Sequence, residues 1–167
     1  MYVDPYAHTA SIEVAVDAQT AFEFMSSGKL QTYWTLGSWD RVDLGDGLFS
    51  GTSLWDGSTL YIRPEPHPEL LIVDYWVGAD PAAMLKVNSA RVRGGEELGR
   101  ERDTCIITLT SWRSAKATDA AWERGAHVYK TEMHLIKGRL EHQIDAVPTP
   151  SDACSPMGNK REGEGAL

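Results

Sequence analysis

The sequence has little of what secreted, membrane-spanning or nucleic-acid-binding proteins require. Its 167 residues contain two cysteines, one in an apolar run (Cys105) and one in a polar segment (Cys154). This is no disulfide framework, and it favours a reducing, cytoplasmic setting. No run approaches the roughly 18 apolar residues of a membrane span, and no secretory signal pattern opens the chain. The net charge of −8 argues against nucleic acid or an anionic membrane as partner, because both attract a positive surface.

Short motifs of catalysis and metal binding are missing as well. The sequence contains no G-x-S-x-G elbow, no glycine-rich phosphate loop with its lysine, and no paired cysteines for zinc. We therefore predict no cofactor and no metal. The length fits one domain with a substantial core.

Tryptophan is plentiful by contrast, with six in the chain. Large aromatic side chains can line a cavity as well as fill a core. Trp34 and Trp39 lie beside two predicted short helices, where they would form either the mouth of a cavity or part of the core.

Hydrophobic periodicity predicts a strand, two short helices, six strands and a long helix. Residues 11–16 alternate like a half-buried strand, and Asp17 is a suitable N-cap for the helix that follows. Strand-like runs separated by turn residues extend from 38 to 112. Asp56-Gly57 is a hairpin signal, and the run after it is expected to break at its prolines, Pro64 and Pro66.

These elements predict an α+β domain, in which a curved antiparallel sheet of about seven strands wraps around the long C-terminal helix. That helix is expected from Asp119 to about Ile144. We predict an N-terminal extension over 1–8, the domain over 9–146, and a disordered tail over 147–167, which is rich in proline and poor in large apolar residues.

The chain resembles the START-like helix-grip superfamily, also called SRPBCC. The resemblance is carried by SIEVAV, DAQTAFEFM, LQTYWTLGSW and AAWERGAHVYKTEMHLIKGRLE, and it covers about residues 9–146. It implies the helix-grip fold and a hydrophobic ligand held between the long helix and the sheet. The superfamily shares no catalytic motif, so the resemblance transfers no catalytic residue.

Three histidines first draw attention to the long helix. His127 and His134 project opposite its apolar stripe and lie about 10.5 Å apart along the axis, too far to share one metal ion. We expect both to be exposed and to hold no metal. The apolar stripe faces the sheet and consists of Trp122, Ala126, Tyr129, Met133, Ile136, Leu140 and Ile144.

Glu132 is the better candidate for a site on this helix, because it falls inside the widened apolar arc, where a carboxylate is costly without a partner. It either contacts a ligand or moves a proton, or it only borders the stripe and pairs structurally with Arg139 or with an arginine on a strand. If it faces a dry cavity, Tyr75 and Arg91 are the expected donors.

The strand that contains Tyr75 is apolar on both faces, so its orientation stays open. Leu71, Val73, Tyr75 and Val77 share one face, and Leu70, Ile72, Asp74 and Trp76 share the other. In the next strand, either Asn88 or Arg91 points inward. The predicted catalytic residues are Glu132 and Tyr75, and the predicted ligand-binding residues are Trp34, Trp39, Trp76, Arg91, Tyr129, Met133 and Ile136.

The leading function is binding of a small hydrophobic ligand, aromatic, polycyclic or lipid-like, with cyclase, dehydratase or hydrolase chemistry at Glu132 as an extension of it. The alternative from another class is a protein-interaction module of the chaperone-activator type, which holds no ligand. A structural protein with a filled core is a third. The sequence leaves open the ligand, the reaction and whether the chain forms a homodimer.

Overall fold

The computed structural model describes residues 4–142. Seven strands form one antiparallel sheet in the order β1-β7-β6-β5-β4-β3-β2, and two α-helices accompany it. This confirms the predicted fold class and element order. The elements are β1 (Ala7–Val14), α1 (Ala18–Ser26), β2 (Ser38–Gly45), β3 (Leu48–Ser53), β4 (Thr59–His67), β5 (Ile72–Gly78), β6 (Leu85–Gly94), β7 (Cys105–Trp112) and α2 (Asp119–Glu141), with 3₁₀ turns at Leu30–Tyr33, Pro68–Leu70 and Glu96–Leu98.

Helix α1 begins where the sequence predicts. The side chain of Asp17 accepts a hydrogen bond from the backbone N–H of Thr20 at 2.9 Å, which satisfies one of the free donors of the first turn. Phe22 and Met25 turn toward the sheet and are buried. The 3₁₀ turn Leu30–Tyr33 is the second predicted short helix.

Helix α2 starts at Asp119 and runs to Glu141 without a break at Gly138. Its first turn is fixed to the start of the chain: the Trp122 ring stacks on His8 with ring centroids 3.6 Å apart, and the Trp122 indole N–H donates to the carbonyl of Asp4. The predicted end at Ile144 and the predicted tail lie outside the described residues.

The histidines of α2 have the predicted exposure. His127 and His134 are exposed, whereas Met133 and Ile136 are buried. Within residues 4–142, no cluster of His, Cys, Asp and Glu side chains is placed to hold a metal ion. In the same range, no helix has the length and apolar character to cross a membrane.

The prediction that the chain breaks at the prolines after the hairpin is wrong. Strand β4 continues through Pro64 and Pro66, which oppose Tyr75 and Val73 of β5. The pairing of β4 with β3 reaches only as far as Ile62. Beyond that point β4 has a neighbour on one side, so a residue that lacks an N–H costs no ladder hydrogen bond on the open side.

The core lies between α1, the inner face of the sheet and the C-terminal half of α2. Its fully buried members include Met25, Val73, Ile107 and Ile136. Val73 and Tyr75 are therefore on the inner face, which answers the question of strand orientation that the sequence left open. The N-terminal half of α2 contributes little to this core and instead covers a cavity.

Candidate ligand-binding site

A cavity of about 330 Å³ lies between the N-terminal half of α2 and the inner face of the sheet. Helix α2 contributes residues at spacings of three and four, and strands β4 to β7 form the floor. Its walls are mostly apolar or aromatic, with a few polar groups. The lining residues are Gln31, Trp34, Thr35, Gly37, Ser38, Arg41, Trp55, Leu60, Ile62, Tyr75, Val77, Asn88, Leu109, Ala121, Arg124, Gly125, Val128, Tyr129 and Glu132.

Glu132 is the buried carboxylate of this cavity, with 6 % of its surface exposed. The backbone N–H of Leu36 donates to its Oε1 at 2.7 Å. Burial raises the pKa of Glu132 to about 7, while the backbone N–H groups of Leu36 and Gly37 and the charge of Arg41 oppose the rise. The group therefore changes charge close to neutral pH, as a general acid or base requires.

The partners of Glu132 differ from those expected. The Tyr75 hydroxyl donates to the carbonyl of Met25 at 2.8 Å, and Arg91 is exposed. The Arg139 guanidinium stacks over the ring of Tyr33 at 5.1 Å. The donor to Glu132 is a loop backbone N–H, and hydrogen bonding of that kind is not encoded in side-chain type.

Arg41 is a second charged residue of the cavity, and its charge acts on Glu132. The sequence did not indicate it as a site residue. Burial lowers the pKa of Arg41 to about 10, and the charge of Glu132 acts in the opposite direction. Its Nη2 donates to the Thr35 hydroxyl at 3.2 Å, whereas its Nε and Nη1 are buried without a hydrogen-bond partner. In the described part of the chain, no ion pair joins Arg41 to Glu132.

An irregularity of β2 turns Arg41 toward the cavity. The register with β3 shifts between Trp39 and Val42, and Asp40 between them has φ +57°, a left-handed conformation that aspartate tolerates better than most residues. Bulges of this kind redirect side chains. As a result Arg41 lines the cavity, and Trp39 is 52 % exposed.

Two tyrosines form part of the cavity wall. Tyr129 donates its hydroxyl to the side-chain oxygen of Asn88 at 2.8 Å, so Asn88, rather than Arg91, is the inward residue of β6. Burial raises the pKa of both Tyr75 and Tyr129 above the ordinary value. Both hydroxyls are therefore neutral and already engaged as donors.

The mouth of the cavity is formed by Trp55 and Arg124. Trp55 belongs to the turn between β3 and β4 and is half exposed, and the Arg124 guanidinium lies 4.5 Å from the centroid of its ring. A groove outside the mouth shares Trp55, Arg124 and Val128 with the cavity. The mouth is thus built from α2 and a hairpin turn.

Of the nine residues predicted for the site, four line the cavity: Trp34, Tyr75, Tyr129 and Glu132. The other five lie elsewhere. Trp39 and Arg91 are exposed. Trp76 is on the outer face of the sheet, where its indole N–H donates to Glu65 at 2.6 Å. Met133 and Ile136 pack in the core, because the stripe of α2 passes from cavity to core after Glu132.

The cavity also contains residues that sequence reasoning did not select, namely Arg41, Trp55 and Arg124. Alternation in β2 puts Trp39 and Arg41 on one face, and only the bulge separates them. Arg124 lies one turn before Val128 on α2, which could have indicated that it borders the same arc. Trp55 stands next to the predicted hairpin turn, and nothing in the sequence places that turn over α2.

No protein-family model and no curated protein matches the sequence. Several solved structures resemble the fold at low identity. A START superfamily protein from Mycobacterium smegmatis is 10 % identical with a TM-score of 0.61, over 83 % of this chain and 99 % of that one. The Zhui aromatase/cyclase from Streptomyces sp. R1128 is 14 % identical with a TM-score of 0.57, over 83 % and 94 %.

A third structure carries a different description. The Aha1 dimer from Colwellia psychrerythraea is 11 % identical with a TM-score of 0.58, over 81 % of this chain and 96 % of that one. Three proteins with different descriptions thus resemble this chain in fold, while each is at most 14 % identical to it in sequence. The chain has the helix-grip fold, and in that fold it is similar to structures described as a START superfamily protein and an aromatase/cyclase.

Proposed function

We propose that the chain binds one small, largely apolar and aromatic ligand in the cavity between α2 and the sheet. The observation that carries this proposal is the cavity itself, about 330 Å³ in volume. Protein interiors are packed with few voids larger than a water molecule, and ligand pockets begin at about 300 Å³. The core beside it consists of buried side chains, Val73, Ile107 and Ile136 among them.

Aromatic side chains set the ligand preference. Trp34 and Tyr75 meet edge to face, with ring centroids 6.4 Å apart, and Tyr129 and Trp55 complete the aromatic walls. Flat rings receive a flat aromatic ligand well, by offset or edge-on contact. A polycyclic ligand is consistent with the likeness to the Zhui aromatase/cyclase, although a likeness at 14 % identity supports the fold and leaves the ligand to the chemistry of this cavity.

Glu132 extends the proposal from binding to proton transfer. As a carboxylate it would take a proton from an acidic carbon of the ligand. In its protonated form it would return that proton to a departing hydroxyl, which leaves as water. The two steps together are a dehydration, and both use a carboxyl group whose pKa of about 7 suits acid and base roles alike.

The cavity weighs against an interaction module without a ligand. A module that acts only through its surface gains nothing from an unfilled interior, because the missing contacts lower its stability. Strand β2 exposes three large apolar residues, Trp39, Val42 and Leu44. This surface is apolar, but no feature of β2 indicates which protein would bind to it. Ligand binding is therefore the function that the geometry supports best.

Titration with the uncharged fluorescent probe N-phenyl-1-naphthylamine tests the proposal. Val128→Phe places a ring in the cavity and should weaken binding of the probe at least about tenfold. The matched control is His134→Phe, which adds a ring on the exposed face of the same helix and should leave binding unchanged. Equal affinity in the two variants, or no binding to the wild type, would exclude the cavity as a ligand site.

Native mass spectrometry of freshly purified protein complements the titration, because a co-purifying ligand gives its mass directly. Glu132→Gln should then lower turnover of that ligand about tenfold or more, because glutamine can neither take up nor return the proton. Unchanged binding and turnover would remove Glu132 from the site.

A further inference from the structure

Three buried donors without partners are concentrated in the cavity wall. Among residues 4–142, the buried side-chain nitrogen and oxygen atoms that lack a hydrogen-bond partner are Trp34 Nε1, Arg41 Nε and Arg41 Nη1. All three are N–H donors, and both residues line the cavity. An unsatisfied buried donor destabilises the folded protein, and a charged one does so more strongly. Because both residues border one space, a molecule in that space that carries acceptor atoms could pair donors that the protein leaves unpaired.

The placement of Arg41 is costly in the backbone as well. Asp40 has a positive φ, and the register of β2 shifts at this point. On β3, a Cβ at Gly51 would lie 2.4 Å from Arg41 Nη1, so the missing side chain provides the room for the guanidinium. Strain of this kind is typical of functional positions, and a guanidinium seated only for structure would be expected to have its N–H groups paired.

The charges around the cavity have the opposite sign to the chain. The charged lining residues in the described part are Arg41, Arg124 and Glu132, whereas the whole chain has a net charge of −8. With Glu132 ionised the lining carries one net positive charge, and with Glu132 protonated it carries two. Because no ion pair joins Arg41 and Glu132, the guanidinium is not neutralised by a direct contact with the carboxylate.

We propose that the ligand is an aromatic carboxylic acid, whose carboxylate is received by Arg41 and the Trp34 indole N–H while its ring lies against Tyr75, Tyr129 and Val128. This rests on the proposed function and names the class of its ligand. A carboxylate is planar and accepts hydrogen bonds without donating any, so it suits the planar guanidinium, which only donates. Nε and Nη1 of Arg41 are themselves covered by protein, so the side chain has to rotate to present these N–H groups to the ligand.

Access to the site is consistent with an anionic ligand. Arg124 lies over Trp55 at the mouth, so a carboxylate passes one positive charge before it reaches the second. A charge of one sign along such a path concentrates ligands of the other sign. Glu123 and Arg124 both line the outer groove. Of the two, only Arg124 also lines the cavity.

The test compares two probes of nearly the same shape. 2-Naphthoate carries the carboxylate, and 2-naphthamide replaces it by a neutral amide. Each is titrated against wild-type protein loaded with N-phenyl-1-naphthylamine, and displacement is followed by fluorescence. We expect 2-naphthoate to bind at least about tenfold more tightly than 2-naphthamide. Equal affinities, or displacement by neither compound while the fluorescent probe binds, would overturn the carboxylate assignment and leave the proposed function standing.

Two variants test whether Arg41 is the residue responsible for the preference for 2-naphthoate over 2-naphthamide. Arg41→Gln should reduce it to less than about threefold while the affinity for 2-naphthamide stays unchanged, and Arg63→Gln, on an exposed residue of β4, should preserve it. A preference that survives in folded Arg41→Gln would exclude Arg41 as the receptor of the carboxylate. Failure of N-phenyl-1-naphthylamine itself to bind would instead refute the proposed function, and the inference with it.

Discussion

Replacing Glu132 by glutamine should change how stability depends on pH. Glu132 has a pKa of about 7 in the folded protein, above its ordinary value of 4.5, because burial disfavours the charged form. Between these two pH values the folded protein keeps a proton that the unfolded chain has released. Stability from this group is therefore complete below about pH 4.5 and is lost as pH rises through about 7.

The magnitude follows from the difference between the two values. At about 1.4 kcal/mol per pH unit, a rise from 4.5 to about 7 corresponds to about 3 kcal/mol of lost stability. Glutamine has the same shape and no charge, and its carbonyl can still accept the N–H of Leu36. Part of this loss is already present at pH 5, so Glu132→Gln should gain about 2–3 kcal/mol relative to wild type between about pH 5 and about pH 8.

Urea denaturation of both proteins at the two pH values measures this gain. At each pH the stability of wild type is subtracted from that of the variant, which removes the contribution of all groups that titrate alike in both proteins. Glu141→Gln is the control on the same helix. A hydrogen bond from Lys137 lowers the pKa of Glu141, so its linkage has the opposite sign and lies below about pH 4.5. A stability difference between wild type and Glu132→Gln that is constant with pH would refute the reasoning.

Two further predictions concern α2 and β7. Gly125→Ala and Gly138→Ala should each stabilise the protein by up to about 1 kcal/mol in thermal melts, because an added Cβ meets nothing closer than 3.8 Å at Gly125 and nothing within 4 Å at Gly138. Only Gly125→Ala should lower the affinity for the fluorescent probe, since Gly125 lines the cavity. An equal loss of affinity in Gly138→Ala would argue against a position of Gly125 in the binding site. In a Cys154→Ser background, Cys105 should react with a thiol reagent at least about a hundredfold more slowly in folded than in denatured protein. The reason is that burial, together with the charge of Asp17, raises the pKa of the Cys105 thiol to about 11. Equal reaction rates would show that β7 opens readily around Cys105.

The fold was largely predictable because its signals are periodic and local. Alternation in β1 and β7, the cap at Asp17 and the stripe of α2 each arise from residues close together in the chain. The turns between strands carry Gly45, Gly47 and Gly57, all with positive φ. Each of these features depends only on residues within one segment of the chain. Each can therefore be recognised without knowing which other segment packs against it.

The site was only partly predictable because it depends on contacts between distant segments. Glu132 was identified because a carboxylate interrupts an apolar arc, which is itself a periodic signal. Arg41 was missed because a bulge of β2 reverses its face, and a bulge leaves no periodic trace. Trp39 and Trp76 were selected for their residue type, whereas their positions are set by strand orientation, which alternation on two apolar faces does not determine.

The division of α2 into a cavity half and a core half has a consequence for adaptation. Residues that shape the cavity, such as Ala121 and Val128, lie on turns of the helix before those that hold it on the sheet, such as Ile136 and Leu140. Substitutions at well-separated positions have nearly independent energies. Exchanges in the first half can therefore alter which molecules fit while the second half preserves the fold. Under the proposed ligand-binding function, selection can explore new ligands along three turns of one helix with little risk of losing the scaffold.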